Sequence, residues 1–153
     1  MKLQLSASVK ELAAASDELV NFNMVPVMHS AELMVNAYQG TVDWEDGDDI
    51  SVATEEIEKT IKGGYGEFLP YASFALCGEN GLPQAEIACS LMAGIPTILF
   101  IYTHPTFKRQ GLAEMLIRAS AAALDERGFE RFQLFVTDIN PAVSLYRKLG
   151  FGG

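Results

Sequence analysis

The sequence predicts an α/β domain built around one mixed sheet with helices on its faces. Three observations carry that expectation. The second half alternates apolar, β-prone runs (TILFIY at 97–102, RFQLFVTD at 131–138) with stretches whose apolar residues recur at helical spacing. Ahead of them, YASFALC and AEIACSLMA flank the turn GENGLP, the pattern of a hairpin. The length, 153 residues, suits a single domain, and 49% hydrophobic with 20% charged residues is a globular balance.

Taken in order, KLQLSAS near the N-terminus has the look of a strand, and VKELAAASDELVNF has a helical pattern. No role follows for residues 1–27, so they stand as a separate N-terminal segment before a domain at 28–153. A helix is expected from His29-Ser30, with Leu33, Met34 and Ala37 on one face and an end before Gly40. A polar loop follows, then a second helix that Ser51 or Thr54 would cap. TILFIY is a continuous apolar run, as a strand buried on both faces would be. A helix from about Leu112 to Arg127 stops near Gly128, and RFQLFVTD is the last strand. Asn140-Pro141 then opens a helix patterned by Val143, Leu145, Tyr146 and Leu149, with Gly150 at the left-handed position that ends it.

Composition narrows the function. The net charge of −9 argues against a nucleic-acid partner, which usually meets a basic face. The charge is uneven: residues 1–107 hold four Lys or Arg against fifteen acids, whereas residues 108–153 hold seven against five. One end therefore tolerates an anion and the other attracts cations. No apolar run reaches the ~18 residues of a membrane span, and the N-terminus is a poor signal peptide, so a cytoplasmic protein without a membrane partner is expected. Cys77 and Cys89 lie in apolar stretches and read as buried free thiols. The acids at 43–58, around Trp44, do not form a calcium loop. Placing Gly47 at the sixth position puts Val42 and Trp44 at ligand places, and neither can bind the ion.

The chemistry concentrates at Lys108-Arg109-Gln110-Gly111-Leu112-Ala113, where a polar loop turns into a helix. Amides in the first turn of a helix have no partner within it, so such a terminus suits an anion. This loop, together with NPAVSLYRKLGF at 140–151, resembles the GNAT superfamily of acyl-CoA-dependent N-acyltransferases. The family's loop is Arg/Gln-x-x-Gly-x-Gly/Ala, and its C-terminal signature is Asn-x-x-Ala-x-x-Leu-Tyr-x-x-x-Gly-Phe. Asn140, Leu145, Tyr146, Gly150 and Phe151 answer to named positions of the signature. Counted from Asn140, Ala142 and the named positions after it each stand one place early, and Lys108 departs from the family's Arg/Gln. The clear resemblance covers about residues 72–151.

The resemblance implies a GNAT-like fold and acetyl-CoA as acyl donor, with no metal. It places the coenzyme's pyrophosphate at Lys108 to Ala113, its pantetheine arm along Phe100, Ile101, Tyr102 and Thr103, and a further contact at Asn140. It assigns Tyr146 as the general acid that protonates the departing thiolate, a transfer that suits a phenol of pKa about 10. The family's usual acid on the central strand is missing from TILFIY, which leaves Glu67, Glu86, His104 and Asp138 as candidate bases. The acceptor it implies is a small-molecule or peptidyl primary amine, and the acids at 43–58 would favour a cationic one.

Members of the family usually continue into further strands after the signature, so the C-terminal strands look missing. Truncation, residues 1–24 or a second subunit would each account for that, and an uncovered edge points to a homodimer. Two other classes stay open: a non-catalytic acyl-CoA-binding or sensing module, and an interaction domain without a cofactor.

Overall fold

The computed structural model describes residues 1–16, 18–39, 41 and 49–153. Its first half holds β1 (Lys2–Ser8), α1 (Val9–Leu12), β2 (Val20–Asn21), α2 (Val27–Tyr38), α3 (Ile50–Ile61) and β3 (Glu67–Phe68). The second half holds β4 (Phe74–Cys77), β5 (Pro83–Met92), β6 (Ile95–Thr103), α4 (Leu112–Glu126), β7 (Arg131–Thr137) and α5 (Ala142–Leu149). The strands form one sheet in the order β1-β7-β6-β5-β4-β2, with β3 also pairing β5. Only β6 and β7 run parallel; the other pairs are antiparallel. This is the mixed sheet expected of an α/β domain.

Alternation along the strands sends side chains to two cores. Leu5, Ile87, Phe132 and Phe151 pack against Leu116 and Ile117 of α4 on one face. On the other, Ala88 and Tyr102 pack against Ala31, Leu33 and Met34 of α2 and Ile57 of α3, with Phe22 beneath them. Both faces are covered, as a mixed sheet with parallel strands requires.

The helical reading of VKELAAASDELVNF gives way to a single turn. Ser8 accepts from the Glu11 amide at 3.4 Å and Leu12 ends the turn. The Ala-Ala-Ala-Ser run beyond it offers little apolar surface to bury, so further turns gain nothing from packing. Val20 and Asn21 instead pair with Ala75 and Phe74, and Phe22 is buried. The cap of α3 also differs from expectation. Asp49, not Ser51 or Thr54, caps it, its Oδ1 accepting from the Ser51 and Val52 amides at 3.0 and 3.1 Å. The Thr54 hydroxyl donates to the Ile50 carbonyl instead.

Residues 1–27 contribute β1 and β2 to the sheet. β1 pairs with β7 over its full length, from Lys2 opposite Thr137 to Ser8 opposite Arg131. On its far side, Ser6 exchanges both backbone hydrogen bonds with Gly152, at 2.8 and 2.9 Å. The N-terminal segment, one of the accounts expected for the missing strands, thus covers the edge of β7.

Candidate active site

The site is made by two parallel strands that part. β6 and β7 pair only at Thr97 with Gln133 and Ile98 with Leu134. The cause lies on the other side of β6, where Ala88 faces Phe100 but Cys89 faces Ile98, so Leu99 has no rung of its own. This bulge bends β6 away from β7. The burial expected on both faces of TILFIY therefore fails from Leu99 to Ile101 and returns at Tyr102. Ile98 is buried, but Leu99, Phe100 and Ile101 are only partly so.

Two cavities flank the parted strands. One, of about 740 Å³, runs along Ile101, Tyr102 and Thr103 to Lys108, Arg109, Gly111, Leu112 and Ala113. The other, of about 680 Å³, lies between the diverging halves of β6 and β7 and the face of α3. Tyr38, Ile101, Asn140 and Tyr146 line both cavities. Ten of the twelve residues expected at the site thus line the first cavity, and Phe100 lines the second. Asn140 and Tyr146 stand in both. Gln110 lines neither, although it is exposed in the same loop.

The loop between β6 and α4 has the shape that an anion site needs. Gly111 precedes the helix in the left-handed conformation, with φ +78°, and Arg109 is also left-handed at φ +66°. The first hydrogen bond into the helix runs from the Met115 amide to the Gly111 carbonyl at 3.0 Å. The amides of Leu112, Ala113 and Glu114 therefore lie ahead of the intrahelical ladder, at the positive end of a helix 15 residues long. A Cβ on Gly111 would meet nothing within 4 Å, so the backbone there is open on its outer side. Phosphate oxygens fit this cradle.

Tyr146 is 7% exposed, and its ring meets Phe151 edge-on with centroids 6.0 Å apart. The helix that carries it is held at its start by Asn140, whose Oδ1 accepts from the Ala142 amide at 2.8 Å. At its end Gly150 takes φ +106°. Asn140 thus has the capping job its position implies.

The candidate bases lie elsewhere. Glu67, Glu86, His104 and Asp138 line neither cavity. Asp138 Oδ1 accepts from the N-terminal ammonium at 3.3 Å, and His104 Nδ1 accepts from the Thr106 amide at 3.1 Å. Glu86 is fully buried between the sheet and α2, accepting from Ser30 Oγ at 2.7 Å and from the Tyr102 hydroxyl at 2.9 Å. Burial pushes its carboxyl up to about 7, against the opposing pull of those two hydroxyls. The Tyr102 phenol rises in turn, through its own burial and the neighbouring carboxylate.

Tyr38 was not foreseen. It follows Met34 and Ala37 at helical spacing on the buried face of α2, and that spacing is the signal that points to it. Its ring stands edge-on to Tyr102 at 5.7 Å. Of the acids at 43–58, Asp49 and Glu56 line the second cavity. Trp44, Asp43, Glu45, Asp46 and Asp48 lie outside the described residues. Among the described residues no group of His, Cys, Asp and Glu is placed to hold a metal, and no helix is long and apolar enough to cross a membrane.

Known proteins share this fold. Residues 80–152 match the family described as FR47-like protein. The [ribosomal protein bS18]-alanine N-acetyltransferase of Escherichia coli is 33% identical over 95 residues, 61% of this chain and 62% of that protein. The match therefore spans under two thirds of the relative. A GCN5-related N-acetyltransferase from Sphaerobacter thermophilus superposes with a TM-score of 0.70 at 14% identity, covering 99% of this chain and 47% of that one. A putative GNAT-family acetyltransferase from Novosphingobium aromaticivorans gives 0.68 at 21%, covering 99% and 59%. The chain thus shares the fold of solved GNAT acetyltransferases, and its residues 80–152 match the FR47-like family.

Proposed function

We propose that the chain is an N-acetyltransferase that moves an acetyl group from acetyl-CoA to a primary amine by direct attack. One observation carries the reading: two cavities, one ending on the helix terminus at Gly111 and the other open to α3, meet at Tyr38, Ile101, Asn140 and Tyr146. A thioester lying in the first meets an amine entering by the second.

In that geometry the pyrophosphate rests on the amides of Leu112 and Ala113, with Lys108 and Arg109 beside it. The acyl arm follows Tyr102 and Ile101, where β6 has lost β7 as a partner. The amine nitrogen attacks the thioester carbonyl carbon. A C–N bond forms as the C–S bond breaks, and backbone amides of the parted strand steady the oxyanion. The Tyr146 hydroxyl gives its proton to the departing thiolate. No carboxylate or imidazole among the described residues lines both cavities, so the amine's proton leaves through solvent, and the phenolate recovers one by the same route. The E. coli relative is named for an alanine of a ribosomal protein, which supports a peptidyl amine as one acceptor class.

Tyr146→Phe tests the reading. Such an acid contributes on the order of 10² to 10⁴ in rate, so kcat for acetylation of a reactive amine should fall by at least ~10²-fold while acetyl-CoA still binds. An unchanged kcat refutes the assignment. The same absence of a carboxylate favours one second reading, an acyl-CoA-binding module without turnover. Tight acetyl-CoA binding with no acetylation across a broad amine panel would select it.

A further inference from the structure

We propose that Glu56, held in place by Tyr65, selects acceptors that carry a second positive charge away from the reacting amine. This rests on the acetyltransferase reading and concerns the second cavity, of about 680 Å³. Asp49, Val52, Ala53 and Glu56 line it from α3, and that spacing is one face of a helix. The face carries acids at both ends and apolar residues between.

The two acids are not equivalent. Asp49 is occupied as the cap of α3, its Oδ1 accepting from two amides and from the Ser51 hydroxyl. Glu56 sits just past the middle of the helix and does no capping. Its Oε2 accepts from the Tyr65 hydroxyl at 2.6 Å, and this bond fixes the carboxylate on a half-buried wall. A neutral phenol holds the group without cancelling its charge. The same bond pushes the Tyr65 phenol up to about 12, so it stays protonated and donating.

The nearest cation on the helix, Lys59, makes no ion pair with Glu56 among the described residues, although its Nζ stands over the ring of the same tyrosine, 4.5 Å from the centroid. Across the cavity, Lys2 is the one cation of the lining among the described residues. At the reacting end, the side chains of Tyr38, Ile101, Asn140 and Tyr146 themselves carry no ionised group at neutral pH. An acceptor that reaches from Tyr146 to α3 therefore presents its amine to an uncharged end and its far end to a fixed carboxylate. A carboxylate already oriented loses less freedom when an ammonium or guanidinium arrives. The chemistry recognised is a primary amine joined to a second cation, either a diamine or a peptide with a basic residue near its N-terminus.

The experiment compares kcat/KM for 1,5-diaminopentane with that for n-pentylamine, using acetyl-CoA as donor. The wild type should prefer the diamine at least ~10-fold, as a charge-assisted hydrogen bond implies. Glu56→Gln should bring the ratio close to one. Glu56→Lys should turn the preference toward 5-aminopentanoate, a gain that misfolding cannot produce. Peptides with arginine or neutral citrulline at the second position separate a peptidyl source from a free diamine. Acetylation of pentylamine with no preference for the diamine or the arginine peptide overturns this inference and leaves the acetyltransferase reading standing. A preference that survives in Glu56→Gln overturns it equally. No acetylation of any amine overturns both.

Discussion

Replacing Glu86 by glutamine should remove a pH dependence of stability that the wild type carries. Glu86 is fully buried with two hydroxyls and no cation for company, and its carboxyl is raised from 4.5 to about 7. Below pH 4.5 the carboxyl is protonated in folded and unfolded chains alike, so the fold has its full stability. As pH rises toward 7 the unfolded chain releases the proton while the folded one keeps it, and stability falls. Above 7 the loss levels off. At about 1.4 kcal/mol for each pH unit between the two values, the total comes to about 3 kcal/mol.

Glutamine has no proton to lose. Its amide group faces two hydroxyls that both donate to the carboxylate, so one of them must turn, at a cost of about 1 kcal/mol that does not vary with pH. Urea denaturation of both proteins between pH 4.5 and 8.5 measures the difference directly. The stability of Glu86→Gln relative to wild type should rise by about 3 kcal/mol across that range, most steeply between 5 and 7. Two curves that run parallel within about 1 kcal/mol would refute the account, and would mean that water or a rearranged α2 reaches the carboxylate.

Two further outcomes follow from the site and the core. Gly111→Glu places a carboxylate at the helix terminus and should weaken acetyl-CoA binding at least ~10-fold by calorimetry. Gly111→Ala should cost only about 1–2 kcal/mol of stability for its left-handed backbone, because a Cβ there meets nothing. Burial pushes the Cys89 thiol up to about 12, whereas Cys77 is only partly buried. A disulfide reagent should therefore titrate one thiol in the native protein, Cys77, and reach Cys89 only on unfolding; two rapid equivalents would contradict the packing around Ser120.

What was legible in the sequence was local. Gly111, Asn140-Pro141 and Gly150 announce helix ends because caps act over a few residues, and α4 and α5 lie where those signals put them. The branching of β6 from β7 was not legible from composition, because it depends on a bulge at Leu99 set by the register of β5. Residues 9–22 misled for a related reason: their period is helical, but the burial of Phe22 under α2 decides their course. Tyr38 needed the tertiary fold to be recognised, since nothing local distinguishes it from another core aromatic. Lys108, Arg109 and Gly111 stand out in the sequence only through a motif, and the fold sets them along one cavity at the start of α4.

The pairing of β1 with β7 also governs when the protein can finish folding. Lys2 to Ser8 are made well before their partners Arg131 to Thr137, with most of the domain between them. Until then the first strand has no ladder to join, and Leu5 and Ala7, fully buried in the end, wait exposed. Closing so long a loop is slow, and unpaired apolar strands are prone to associate with other chains meanwhile. Because β7 is also one wall of the second cavity, that cavity and the pairing of β1 with β7 are completed together, so a nascent chain closes the cavity only when it has also covered this strand.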